Sequence, residues 1–452
     1  MTSPPTAASQ ATAPQAAALN RVLGVGGLVA FGLAYMVPLT VFTTFGSATR
    51  LTAGHLPTAY LVTTVAMLFT AASYALIVRA YPSAGSAYTY TARSFGPHLG
   101  FLTGWTLLLD YLLLPGVNYL IIGIYLNAQF PAVPTAVFIT AAIAVATALN
   151  LLGINTIGRV SLAMVAAQLA FAVVFVALAL AGAPPDPTAL IRPFYSESLT
   201  LPAVFAGAAV LCLSFLGFDA VSTLSEEARD PRRTVPRAML LTTVAGGMIF
   251  VLLSYASALV LPDWRAIQVS DAAGLEVMAP LGGPVLVAIF LAVYLGGCLA
   301  SAVAAQASVA RILFAMGRDG ALPRGWFGVL DQRFQSPRNA TLTVGAISLL
   351  VLAVSLDVLV SVVSFGALFA FTMVNLTVIK QFVVDEGRRA PRDLVVYGLV
   401  PLTGCALTVW LWFSLSGHAL LTGGLWIGAG AAYLALRTRG FTRPVSVKLD
   451  MD

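Results

Sequence analysis

Apolar runs of about twenty residues, separated by short polar stretches, recur along almost the whole chain. They fall near residues 22–46, 58–78, 99–130, 135–152, 160–181, 202–224, 238–261, 284–316, 340–356, 359–383, 394–415 and 420–436. A helix needs about 20 predominantly apolar residues to cross the hydrocarbon layer. The pattern therefore predicts an all-α membrane protein of about twelve transmembrane helices. The helices leave little room for a soluble domain. Residues 21–440 read as a single transmembrane domain. Residues 1–20, rich in Ala, Pro, Thr and Ser, have no basic segment followed by a cleavage site and read as a disordered tail. Residues 441–452 read as a short second tail.

Two of the runs carry helix-breaking chemistry at their middles. In the first, Phe31-Gly32-Leu33-Ala34-Tyr35-Met36-Val37-Pro38, the proline cannot donate a helix hydrogen bond and disfavours helical geometry at Val37. In the sixth, Ser214-Phe215-Leu216-Gly217-Phe218-Asp219 combines a glycine with an acid. The breaks lie about 180 residues apart. Matching interruptions in two halves of a membrane chain point to inverted repeats with a site between them near the midplane. Half-helices that end at such breaks present carbonyls, which suit an ammonium; those that start there present N–H groups, which suit an anion.

Composition supports the membrane reading. The chain is 59% hydrophobic and 9% charged, against about 25% charged in a soluble domain. Its net charge of +6 is a matter of placement and not a sign of nucleic-acid binding. An even number of spans puts both termini on one side. Only Arg50, Arg192 and Arg265 then fall on the other side. The positive-inside rule makes the terminal side cytoplasmic. The three cysteines, Cys212, Cys298 and Cys405, read as buried small hydrophobes. The three histidines, near helix ends, form no metal pattern, and no cofactor motif is present.

Further along the chain, three segments resemble signatures of one family. They are Tyr81-Pro82-Ser83-Ala84-Gly85-Ser86-Ala87-Tyr88 after the second run, Gly217-Phe218-Asp219 with Ser225-Glu226-Glu227-Ala228-Arg229-Asp230-Pro231 in and after the sixth, and Val309-Ala310-Arg311 through Leu322-Pro323 after the eighth. In this order they resemble the amino acid–polyamine–organocation superfamily over nearly the whole chain beyond residue 20. Gly32-Leu33-Ala34-Tyr35-Met36, Gly54-His55-Leu56-Pro57-Thr58 and Leu109-Asp110-Tyr111-Leu112 resemble bacterial putrescine importers. The resemblance implies a five-plus-five inverted repeat with broken helices 1 and 6 and two additional helices. It also implies proton-driven uptake of a short diamine across a bacterial cytoplasmic membrane, by a multi-pass protein with both termini inside. Amino acid permeases of this superfamily usually carry a glycine-rich first break that cradles a carboxylate. Tyr35-Met36-Val37-Pro38 lacks it, which favours a cation without a carboxylate. Some members have a fifth-helix lysine in place of a sodium ion; this fifth run has only Arg159, at its end.

Asp219 and Asp110 are the leading candidates for binding two ammonium groups and for carrying a coupled proton. A carboxylate in a membrane span costs about 2.5–3.5 kcal/mol on insertion scales, so acids placed there are functional candidates by default. Gly217 would let the chain unwind beside Asp219. Tyr35 and Met36 sit at the first break. Tyr111, Phe215, Trp105 and Tyr294 are candidate walls, since an aromatic face attracts an ammonium. Helical spacing puts Trp105 and Tyr111 on different faces. Glu226 and Glu227 could pair with Arg79 or Arg93 as a cytoplasmic gate, against the plainer reading of a solvated loop. Ser301 and Ser308 could line a sodium-like site or bond helix carbonyls.

The expected partners are a small cationic diamine and membrane lipids; a homo-oligomer is compatible with such a chain. A diamine/amino acid exchanger or an amino acid permease is the alternative within the superfamily. A channel lacks a repeated pore loop here. An enzyme lacks a paired nucleophile and base, and no phosphate-binding glycine loop suggests ATP hydrolysis.

Overall fold

The computed structural model describes residues 23–82, 86–152, 157–268, 270–318, 323–331, 337–438 and 440. Both expected tails, and parts of the loop motifs after the second and eighth spans, lie outside them. The described residues are almost wholly helical. Ten helices are long and apolar enough to cross a membrane, and two shorter apolar ones, at Thr135–Leu151 and Arg338–Ala353, complete the predicted set of twelve.

The first span is α1 (Val25–Met36) and α2 (Val41–Leu51), followed by α3 (Leu56–Ala80), the short α4 (Ser86–Phe95), α5 (Pro97–Gln129), α6 (Thr135–Leu151) and α7 (Ile157–Ala181). A short α8 (Pro187–Ile191) leads to α9 (Leu201–Leu211), the first half of the sixth span. Then come α10 (Pro231–Val260), α11 (Ala273–Arg318), α12 (Arg324–Phe327), α13 (Arg338–Ser348), α14 (Leu356–Val378), α15 (Pro391–Asp393), α16 (Val400–Phe413) and α17 (Gly417–Arg437). Counterparts in the two halves meet: α3 packs along α10, and α5 along α11. The α5–α14 contact is answered by α7 against α11, as an inverted repeat requires. The outermost helices α16 and α17 cover α3, α5 and α14. α11 joins two helices across a kink: Gly282 (φ −151°) and Gly283 (φ 58°) are non-helical, so the eighth span proper begins at Pro284, where its apolar run starts.

Both predicted breaks are present. α1 stops at Met36, Val37 adopts φ 54°, and Pro38–Thr40 form one 3₁₀ turn before α2 resumes the crossing. The left-handed Val37 is a strained conformation for a β-branched residue. It is held because the pyrrolidine ring forbids the helix from continuing. In the sixth span, α9 gives way to a 3₁₀ turn over Cys212–Phe215, Gly217 takes φ 131°, and 3₁₀ geometry continues over Ala220–Glu227.

The two breaks touch. A Cβ at Gly217 would lie 2.9 Å from Met36 Cγ and 3.0 Å from both the Met36 nitrogen and Tyr35 Cβ. The Met36 side chain runs on to α10, where Gly246 leaves room for its Cε. Gly217 thus meets two demands at once, a backbone conformation closed to other residues and main-chain contact with the opposite repeat. Gly217→Ala should therefore destabilise the protein by more than the ~1 kcal/mol of an ordinary left-handed glycine replacement. Thermal unfolding in detergent reads this as a lowered midpoint; an unchanged midpoint would contradict the contact.

Candidate functional site

The carboxylates of Asp110 and Asp219 face one another's field across the two breaks. Asp110 lies in mid-α5, and Asp219 follows Gly217. They are 2% and 3% exposed and interact electrostatically. Asp219 does not cap the turn that follows it. Its Oδ1 instead accepts from the Gly217 N–H at 3.2 Å, so the carboxylate is folded back into the break. Asp110 Oδ1 has no hydrogen-bond partner. Neither acid forms an ion pair with a basic side chain among the described residues.

Three tyrosines complete the cluster. Tyr35 from α1, Tyr74 from α3 and Tyr111 from α5 all interact electrostatically with both carboxylates. Their hydroxyls are buried and unpartnered. A buried hydroxyl or carboxylate oxygen without a partner costs about 1–3 kcal/mol or more. Four such atoms in one place mark a site arranged for something other than stability. α14 closes another wall: Gly366 brings its backbone against Thr106, Leu109 and Asp110.

The site is shut at both ends. On the side of α4, Tyr74 packs edge-on to Tyr90, Phe218 and Phe371 at 5.8–6.4 Å between ring centroids. A main-chain clasp tightens this end. Leu23 N–H donates to Glu227 O, and Arg229 N–H donates to Leu23 O, each at 3.0 Å. On the opposite side, Phe42 of α2 packs on Phe175 and Phe290 at 5.8 and 5.1 Å. Tyr125 donates to the Phe42 carbonyl at 2.7 Å.

The N–H groups from Val37 to Thr40 and from Leu216 to Phe218 are spoken for. Val37 N–H donates to Leu33 O and Thr40 N–H to Val37 O; Pro38 has none. Leu39 N–H donates to Gln168 Oε1 of α7 at 3.1 Å. In the sixth span Leu216 N–H donates to Leu213 O and Phe218 N–H to Phe215 O, while Gly217 N–H meets Asp219. The Gln168 amide is seated in a notch: a Cβ at Gly297 would be only 2.0 Å from its Nε2.

Several candidate walls lie elsewhere. Trp105 stacks on Trp426 of α17 at 4.8 Å, and the two indoles donate reciprocally to each other's carbonyls at 2.9 and 2.8 Å. It is a peripheral packing residue and no wall of the acid site. Tyr294 shares a short hydrogen bond with Thr43 (2.7 Å) and belongs to the Phe42–Phe290–Tyr125 cluster. Phe215 packs edge-on to Phe250 of α10. Met36 is a packing link between the breaks and α10. The expected gate pairs of Glu227 with Arg79 or Arg93 are not formed. Arg93 instead sits 4.9 Å over the Tyr81 ring, and the backbone clasp holds this end. The Glu226 side chain lies outside what is described. Ser301 donates to Tyr35 O and Ser308 to its own helix at Ala304 O.

Tyr74 and Gln168 escape sequence reading, though each leaves a trace. Thr63, Thr70 and Tyr74 recur along one face of α3 within an apolar run. Gln168 is a solitary amide between residues 162 and 181.

A family model described as amino acid permease matches residues 27–432. The chain belongs to this amino acid permease family. A low-affinity putrescine importer of Escherichia coli K12 is 39% identical over 94% of this chain and 96% of its own length. A branched-chain amino acid permease of Bacillus subtilis is 28% identical over 85% and 86%. A methylthioribose transporter of the same species is 25% identical over 93% and 94%. The permease is a membrane transporter and not an enzyme.

In this permease Gln168 supplies the acceptor for a buried N–H. Gln168→Met, of similar length, should leave Leu39 N–H unpaired at about 1–3 kcal/mol. Hydrogen–deuterium exchange over residues 37–41 should then accelerate about 5- to 100-fold, whereas Gln168→Glu, which retains an acceptor, should change it less. Equal exchange in wild type and Gln168→Met would remove the latch.

Proposed function

We propose that this permease is a secondary transporter that imports a short cationic diamine, putrescine first, by proton symport. The observation that carries the reading is the pair of buried acids with no basic side chain beside them. Burying an uncompensated charge costs several kcal/mol. Positive charge must therefore come from outside the chain, as protons or as the ammonium groups of a ligand. Two acids suit two amines. The free hydroxyls of Tyr35, Tyr74 and Tyr111 accept from ammonium N–H groups, and their ring faces add about 0.5–2 kcal/mol of cation–π attraction each.

The occupied N–H groups at both breaks support the absence of a carboxylate from the substrate. An amino acid would find no free backbone donor between Val37 and Thr40 or between Leu216 and Phe218. The name of the 39% identical relative agrees with a diamine. Asp110 and Asp219 are also the groups proposed to exchange a proton for the amine. The side bearing α4 is taken as cytoplasmic on the positive-inside argument, with both termini on it, in a bacterial inner membrane.

Proteoliposomes test this with labelled putrescine, an inward proton gradient and no sodium. Concentrative uptake that collapses with a protonophore is expected. Uptake only into vesicles preloaded with amine or amino acid would replace symport by exchange. Asp110→Asn and Asp219→Asn should each lower kcat/KM about 10- to 100-fold, the size of a lost charged hydrogen bond of about 1.5–3 kcal/mol. Each should also erode the preference for putrescine over butylamine, which has one amine. A variant that keeps both rate and preference would remove that acid from the site.

A further inference from the structure

On the side away from α4, a cavity of about 60 Å³ opens between segments of four different elements. Its lining includes Thr49 of α2, His55 in the turn before α3, Arg192 after α8, Ser196 in the following loop, and Trp264 with Arg265 beyond α10. Arg192 and Arg265 thus both line one small space. Neither forms an ion pair with a carboxylate among the described residues, and no acid lines the cavity.

Asp186 and Asp263 are engaged locally, and Glu197, between the lining Ser196 and Ser198, is exposed and is not part of the lining. Asp186 accepts from the backbone N–H and hydroxyl of Thr188 at 2.9 and 2.6 Å, which hold its carboxyl below the usual range. Asp263 Oδ1 accepts from the Arg265 backbone N–H at 3.1 Å.

The cavity is also preorganised. His55 is buried, with Nδ1 3.0 Å from Thr52 O and Nε2 2.8 Å from Ser196 Oγ. Ser196 Oγ in turn lies 2.9 Å from Ser198 Oγ. Arg265 is held flat, 4.4 Å over the Trp264 ring. Trp264 reaches this position because Gly54, at φ 89°, has no Cβ to collide with it at 2.6 Å.

We infer that this cavity is a binding site for a small oxyanion, a phosphate, sulfate or phosphate headgroup, held by Arg192 and Arg265 with the serine hydroxyls. Planar guanidinium forks match such oxyanions in geometry as well as charge. Two like charges converging on one cavity repel, and an anion relieves that repulsion. The site has a conformational consequence. α2 is the half-helix whose aromatic side chains close this end of the substrate site. Its tip is already tied to the loop after α10 by a hydrogen bond from Arg50 to the Ile267 carbonyl. An anion held by Arg192 and Arg265 joins the loop after α8 to the loop that Arg50 already ties to α2, and so binds the arrangement in which they converge. It therefore stabilises the state closed at this end and slows transport.

The test begins with binding, which needs no assumption about the transported substrate. The full-length protein in detergent is titrated with inorganic phosphate at constant ionic strength and followed by calorimetry. Saturable binding is expected, weakened at least tenfold in the double variant R192Q/R265Q, with sulfate competing. The single variants R192Q and R265Q, each weakened about threefold or more, carry the test if the double variant does not fold. In phosphatidylcholine proteoliposomes, phosphate on both faces should slow labelled putrescine uptake by the wild type about twofold or more and leave the double variant unaffected. If phosphatidylglycerol vesicles slow the wild type selectively in the absence of phosphate, the headgroup is the source of the anion. Equal phosphate affinity in wild type and double variant overturns the site. So does the absence of saturable binding together with no phosphatidylglycerol effect.

Discussion

Two buried carboxylates that feel each other's charge inside a membrane protein, with no basic side chain paired to them among the described residues, constrain everything around them. Desolvation opposes each charge and mutual repulsion opposes the pair. The fold brings Asp110 and Asp219 together all the same, because Asp110 rides on the scaffold helix α5 and Asp219 on the unwound segment of the sixth span. The arrangement is stable only in combination with positive charge. In the proposed mechanism proton and organic cation are interchangeable in that role, and that interchange would couple one to the other.

The breaks make this pairing possible, and their hydrogen bonding narrows what can bind. A broken helix exposes both donors and acceptors, so in principle it serves anions and cations alike. Here the donors are consumed within the protein. Pro38 has none, Gln168 takes the one from Leu39, and Asp219 itself takes the one from Gly217. The remaining unpaired groups are carboxylate and hydroxyl oxygens. The proposed selectivity for a cation lacking a carboxylate would thus arise as much from donors removed as from acids added. The Gln168 latch belongs to the same design. It leaves a neutral amide, notched over Gly297, at the point where helix 1 meets α7 and α11.

The fold was largely legible in the chain because membrane spans announce themselves by length and hydropathy, and breaks by proline, glycine and an intramembrane acid. The twelve helices, the interruptions at Val37–Pro38 and Gly217, and the paired acids all follow from such local signals. The walls of the site were less legible. Trp105, Phe215 and Tyr294 are aromatic residues in membrane spans like Tyr35 and Tyr111, and composition cannot separate the two groups. What distinguishes them is direction, which depends on packing between distant helices: Trp105 turns to Trp426, more than three hundred residues away. Charged residues near the α4 end suggested ion pairs; those of Glu227 with Arg79 or Arg93 are not formed among the described residues, and backbone groups of Leu23, Glu227 and Arg229 pair there instead. Backbone pairing of that kind has no side-chain signature.

The two closures differ in kind, and the difference bears on how the protein moves. On the side of α4, a two-bond backbone clasp and one aromatic cluster seal the site. The clasp is broken by a small shift of the residues around Ala228 away from the start of α1. On the opposite side, α2 is embedded among aromatic rings from α5, α7 and α11 and tied by Arg50 to the Ile267 carbonyl. Releasing α2 requires several edge-to-face contacts to separate together, and α2 cannot shift without disturbing Leu39 and hence Gln168. Because Gly217 lies against Met36 and Tyr35, a displacement of either break is felt by the other. In the proposed mechanism, a cation that settles between Asp110 and Asp219 would therefore act on the joint that both closures share.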